Sequence, residues 1–131
     1  MYYVSTRNKE DRRTAAEAIA QGLAVDGGLM TPEVFPKLSH NALDTMRDMS
    51  YQQRAVYVMN SYLDDFTASE LSAYADKAYG GEKFDVKEVA PVRAVDENTY
   101  CLELWHGPTC AFKDMALQML PHLLSASPVS Y

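Results

Sequence analysis

Apolar residues in this chain recur first at helical spacing and later at strand spacing, and the change of period divides it. Ala16, Ile19, Ala20 and Leu23 fall at i, i+3, i+4 and i+7 behind Thr14-Ala15-Ala16-Glu17, a capping-box signature, and Gly22 is placed to stop the helix. Ser50-Tyr51-Gln52-Gln53 repeats the signature ahead of Val56, Met59 and Leu63. Thr67-Ala68-Ser69-Glu70 repeats it again ahead of Leu71, Tyr74, Ala75, Ala78 and Tyr79, with Gly80-Gly81 beyond. Ser39 can cap a shorter helix carrying Leu43 and Met46.

Shorter patterns fill the gaps. Tyr2 to Ser5 reads as a strand and Arg7 to Arg13 as a charged loop. Asp26-Gly27-Gly28 reads as a turn joining two short strands, and Pro32 and Pro36 as an irregular link. After Phe84 the spacing shortens. Val92–Val95 and Tyr100–Leu104 flank Asp96-Glu97-Asn98-Thr99, a hairpin with a polar turn, and the run Tyr100 to Trp105 predicts a buried strand that buries Cys101. A boundary near Pro91 gives units 1–91 and 92–131. The last helix carries Phe112, Met115, Ala116, Met119, Leu120 and Leu123 as its stripe, kinked or broken at Pro121, and Ser125–Tyr131 reads as a frayed end. The class is α/β: a mostly helical first unit with short strands, then a β-hairpin and a helix.

Composition narrows the functions. The chain has 131 residues, 47% hydrophobic, with a net charge of −6. That balance argues against nucleic acid and against an anionic membrane surface as partners. No apolar run nears the ~20 residues of a membrane span, and the N-terminal stretch lacks the apolar core of a signal peptide. Two cysteines make no disulfide framework, so a reducing cytoplasm is expected. Three scattered histidines give no metal constellation.

Candidate chemistry gathers in residues 101–115. Lys113 opens the last helix beside Ala111, Phe112 and Met115, near the positive end of a helix dipole. Such a setting favours the neutral amine that attacks an aldehyde. Asp114 suits a first helical turn, Thr109 an N-cap, and His106 a hydrogen-bonding strut for the loop. Cys110 reads as an inert small hydrophobe. At the other end, Ser5, Thr6 and Arg7 could contact an anionic substrate, since a guanidinium fork matches phosphate.

Leu102-Glu103-Leu104-Trp105-His106-Gly107-Pro108-Thr109, then Ala111-Phe112-Lys113-Asp114, resembles the pyridoxal-phosphate lysine motif of threonine synthases. Tyr3-Val4-Ser5-Thr6-Arg7 resembles that family's opening strand. Glu17-Ala18-Ile19 with Gly22-Leu23-Ala24-Val25-Asp26-Gly27-Gly28-Leu29 resembles its next signature. The blocks stand in order and span roughly Tyr2 to Ala126. The resemblance implies an N-terminal threonine-synthase-like domain at 1–91. It implies the start of a fold-type II (tryptophan synthase β-like) catalytic domain at 92–131. It further implies Lys113 as the residue that binds pyridoxal 5′-phosphate, and a lyase turning O-phospho-L-homoserine and water into L-threonine and phosphate.

None of the six glycines forms a phosphate-cradling loop, so this chain reads as a portion of such an enzyme with little activity alone. A related pyridoxal-phosphate lyase, or a non-catalytic binding or assembly module, are the alternatives. Self-association through the exposed hairpin or helix is also open.

Overall fold

The structure, a computed structural model, describes residues 1–127. Strands β1 (Tyr3–Ser5), β2 (Arg12–Arg13) and β3 (Met30–Pro32) form an antiparallel sheet in the order β2-β1-β3. Val4 faces Arg12 on one side and Thr31 on the other. Strand β2 corrects the loop expected over Arg7 to Arg13. An edge strand pairs its backbone while long side chains reach water. Accordingly, the Arg12 guanidinium lies 4.3 Å from the Tyr2 ring centroid and bonds Glu33 at 2.7 Å.

The three capping boxes all form. They open α1 (Ala15–Gln21), α3 (Tyr51–Met59) and α4 (Ala68–Tyr79), while the Ser39 side chain caps α2 (His40–Arg47). Each such cap contributes about 1 kcal/mol. The Asp65 carboxylate also accepts the Ala16 amide at 2.7 Å, tying the start of α1 to the turn before α4.

The core forms where these helices meet. Leu71, Ala75 and Ala78 of α4 are 0% exposed. Ala15 and Ala16 of α1 and Phe66 join the same cluster, with Ala55, Val56 and Met59 of α3 packed against it. Alanines on facing helices bring the backbones close, and each buried leucine contributes about 1.5–3 kcal/mol. The cluster runs on to Met119 and Leu123, so the last helical segment shares the core of the first.

That last segment is two helices, α5 (Asp114–Leu117) and α6 (Leu120–Ala126). Pro121 has no N–H to offer the Leu117 carbonyl, and the Met119 amide turns to Ala116 at 3.1 Å. The Met115 carbonyl accepts the Tyr79 hydroxyl at 2.7 Å instead. Of the expected stripe, Met115, Met119 and Leu123 turn inward, whereas Phe112 and Leu120 stay exposed. Helix α6 runs through Ser125 and Ala126, which corrects the frayed end there; residues 128–131 lie outside the described residues.

Strands β4 (Val92–Ala94) and β5 (Tyr100–Leu102) pair antiparallel, Arg93 opposite Cys101. The expected buried run is corrected. Strand β5 stops at Leu102, Tyr100 and Leu102 are more than half exposed, and Cys101 is half-buried. A two-stranded ribbon has few partners to cover its faces, and here Glu103 turns inward to an ionic cluster described below. Among the described residues, no helix is long and apolar enough to cross a membrane.

Candidate functional site

Lys113 closes a tight loop that starts at His106. The Cys110 amide donates to the Gly107 carbonyl at 3.0 Å, and the Asp114 amide to the Ala111 carbonyl at 3.0 Å. Cys110 sits at φ 55°, in the left-handed region that L-residues rarely adopt. Asp114 stands inside the loop, 0% exposed. Its carboxylate accepts both the Thr109 amide at 2.8 Å and the Thr109 hydroxyl at 3.0 Å. Thr109 therefore does not cap the helix as expected, whereas Asp114 does stand in the first turn of α5, as expected, and caps the preceding turn as well. The reason is that α5 begins only at Asp114, five residues beyond Thr109.

Burial alone would raise the Asp114 carboxyl, but hydrogen bonds from Thr109, Ala111 and Gln118 hold it below the usual carboxylate range. Gly107 is required at this contact. A Cβ there would lie 2.5 Å from the Asp114 Cβ. The loop thus closes on a buried anion with no room for a larger residue.

Two anchors pin the loop to the body. At its head, the His106 ring meets Asp85 through Nδ1 at 2.6 Å and Glu103 through Nε2 at 2.8 Å. At its tail, Tyr79 of α4 donates to the Met115 carbonyl, and Tyr51 of α3 reaches the Met115 Sδ at 3.6 Å. Tyr51 and Tyr79 meet edge to face, 5.0 Å between centroids. Burial, with the neighbouring Tyr51 adding, pushes the Tyr79 hydroxyl up to about 12. Burial likewise raises Tyr51.

Between the anchors Lys113 is exposed, and among the described residues its amine makes no hydrogen bond or ion pair. The apolar cover expected over it is absent among these residues, because Phe112 is 65% exposed and α5 spans only four residues. A free, reachable amine on a fixed loop fits the role of a carbonyl-binding lysine. The glycines beside it do not extend that fit to a phosphate cradle.

Ser5, Thr6 and Arg7 gather elsewhere, at the end of β1. The Ser5 hydroxyl, 1% exposed, donates to the Asp26 carboxylate at 2.8 Å and accepts the Arg7 amide at 3.1 Å. The Asp26 carboxylate also takes the Gly28 amide at 2.8 Å. The Gly28 amide chiefly, with the Ser5 hydroxyl and the Arg7 charge, holds the Asp26 carboxyl below its usual range. A side chain on Gly28 would run into the Ser5 hydroxyl. The Arg7 guanidinium donates to the Asp26 carbonyl at 3.0 Å, and the Thr6 hydroxyl accepts the Leu29 amide at 3.1 Å. Thr6 and Arg7 are exposed.

Among the described residues, no hydrogen bond joins this group to Lys113. The sequence reading missed Tyr79, Tyr51, Asp85, Glu103 and Asp26 as supports. Of these, Asp26 and Glu103 carried a local signal, each a carboxylate inside one of the signature blocks.

A family model described as threonine synthase N terminus matches residues 2–79. Threonine synthase of Methylobacillus glycogenes is 37% identical over 130 residues, covering 94% of this chain and 27% of that protein. Threonine synthase of Eremothecium gossypii is 42% identical over 129 residues, covering 92% of this chain and 25% of that protein. A PLP-bound threonine synthase from Brucella melitensis superposes with a TM-score of 0.88 at 35% identity, over 95% of this chain and 26% of its own. The chain spans about a quarter of the length of these relatives.

Proposed function

Because the chain belongs to the threonine synthase N-terminus family, we propose that it contributes the N-terminal portion and the cofactor lysine of a pyridoxal-phosphate-dependent threonine synthase. The reaction is that of a lyase taking O-phospho-L-homoserine and water to L-threonine and phosphate. One observation carries this reading: the only lysine in the matching motif is exposed, unpaired among the described residues, and held on a loop anchored at both ends.

Lys113 would hold pyridoxal phosphate through Nζ and, once released by substrate, move protons at the substrate carbons. The cofactor, when bound, supplies an aldehyde for the amine and an electron sink for the substrate carbanion. Asp114 keeps the loop closed beneath the lysine. We assign substrate-anion binding to Thr6 and Arg7, whose groups face solvent, with Ser5 bracing them through Asp26. We keep the division into 1–91 and 92–131, supported by the family match over residues 2–79. We assign the hairpin and α5 to the start of the fold-type II catalytic unit, and their exposed apolar residues to association with further protein, a second copy included. The setting we propose is the cytoplasm, in keeping with two free cysteines.

Reduction with borohydride after incubation with pyridoxal phosphate tests the lysine. Peptide mapping should find the pyridoxyl label concentrated at Lys113 over the other lysines, and lost in Lys113→Ala. Even labelling across all lysines would sink the assignment. The chain alone should form no threonine.

A further inference from the structure

The His106 ring faces a carboxylate at each nitrogen, Asp85 at 2.6 Å and Glu103 at 2.8 Å. A neutral imidazole has one N–H and one lone pair, so it can donate to only one of the two. The imidazolium donates to both. The ring is mostly enclosed, with 11% of its side-chain surface exposed, and Glu103 is nearly as enclosed at 19%. Among the described residues, the other charged side chain paired with this group is Arg93 of β4, 3.9 Å from Glu103. Trp105 lies beside the ring, 5.5 Å between centroids. The backbone repeats the link, since the Asp85 amide donates to the His106 carbonyl at 3.1 Å.

His106 therefore joins three segments: the stretch after α4, the end of β5, and the first residue of the lysine loop. We propose that His106, held as an imidazolium between Asp85 and Glu103, is the positioning residue that fixes the loop carrying Lys113. The proposal rests on the assignment of Lys113 as the cofactor lysine.

The electrostatics agree with the geometry. The Glu103 hydrogen bond chiefly, with Asp85 adding and burial opposing, raises His106 above the ordinary histidine value. A raised folded value means that the stabilisation is complete below the unfolded value, about 6.5, and is lost as pH rises through the folded one. Above that point one carboxylate faces a lone pair, and the head of the loop loosens.

The test uses the whole chain. NMR would follow the His106 ring nitrogens against pH, together with exchange protection of the Thr109, Cys110 and Asp114 amides, all bonded within the loop. Pyridoxyl labelling of Lys113 would be read in parallel. The expected result is a His106 midpoint above the ordinary value, with loop protection falling about tenfold at that same midpoint while amides of α4 hold. His106→Gln should leave loop protection low and flat with pH. Glu103→Gln, which keeps the shape and loses the charge, should lower the midpoint. Loop protection indifferent to the imidazole titration, or a midpoint unmoved by Glu103→Gln, would overturn the proposal. Unselective labelling in a chain whose loop still follows the imidazole would overturn the Lys113 assignment alone.

Discussion

Replacing Tyr79 with phenylalanine removes one oxygen from the joint between α4 and α5. That hydroxyl donates to the Met115 carbonyl at 2.7 Å, and the ring is only 8% exposed. No helical amide takes its place, because the Met119 amide is bonded to Ala116. At neutral pH the variant should lose about 1–2 kcal/mol, the cost of leaving a part-buried carbonyl without its partner. High pH adds a second, independent signature. The folded state holds the phenol at about 12 against an ordinary 10, a difference of two units, or roughly 3 kcal/mol. The folded value is raised, so this stabilisation is complete below pH 10 and disappears as pH climbs from there to about 12. Wild type should lose it across that window and Tyr79→Phe should not. Urea midpoints measured across the window give the difference between the two proteins, in which the titrating groups other than Tyr51, which is coupled to Tyr79, cancel. The gap at neutral pH should shrink toward zero or reverse. A gap that stays constant through the alkaline window would refute the reasoning, and a variant as stable as wild type at neutral pH would refute the hydrogen bond itself.

Leu71→Ala should cost about 2–5 kcal/mol, since the side chain is 0% exposed at the centre of the cluster, and thermal melting should drop by roughly ten degrees or more. Gly107→Ala should cost about 1–3 kcal/mol by forcing a Cβ against Asp114; an unchanged denaturation midpoint would show that the contact is looser than drawn. His122 stacks on Tyr74 at 5.9 Å, and burial, with Lys83 and Lys77 nearby, lowers its pKa. A lowered folded value means stability present above the ordinary ~6.5 and lost as pH falls through the folded one. His122→Phe should therefore flatten the acid limb of a stability–pH curve, and an equally steep limb in the variant would count against burial as the cause.

The helices were legible because their signals are local. Thr14 and Glu17, Ser50 and Gln53, and Thr67 and Glu70 each solve the problem of orphan amides within one turn, so four residues announce the start. The proposal for Lys113 rests on the motif that surrounds it. What failed depended on partners far along the chain. Arg12 and Arg13 look like loop until β1 offers them a backbone to pair with. Tyr100 and Leu102 look buried until no described segment covers them. Asp85 lies 21 residues from His106, and Tyr79 lies 36 from Met115. No periodicity joins such pairs. Thr109 misled for a different reason: α5 starts so late that the Asp114 carboxylate, in its expected first helical turn, turns back to bond Thr109.

Met119 and Leu123 complete the apolar cluster that Ala15 and Ala16 begin, at a sequence separation of roughly a hundred residues. A chain emerging from the ribosome therefore carries α1 without its α6 contact until α6 has emerged as well. Helix α5, whose Met115 meets Tyr51 and Tyr79, lies directly ahead of that contact, so the Lys113 loop is held by segments far apart in the chain. The loop of Lys113 thereby takes its position with the long-range contacts rather than the local ones, which makes its placement a late event in folding.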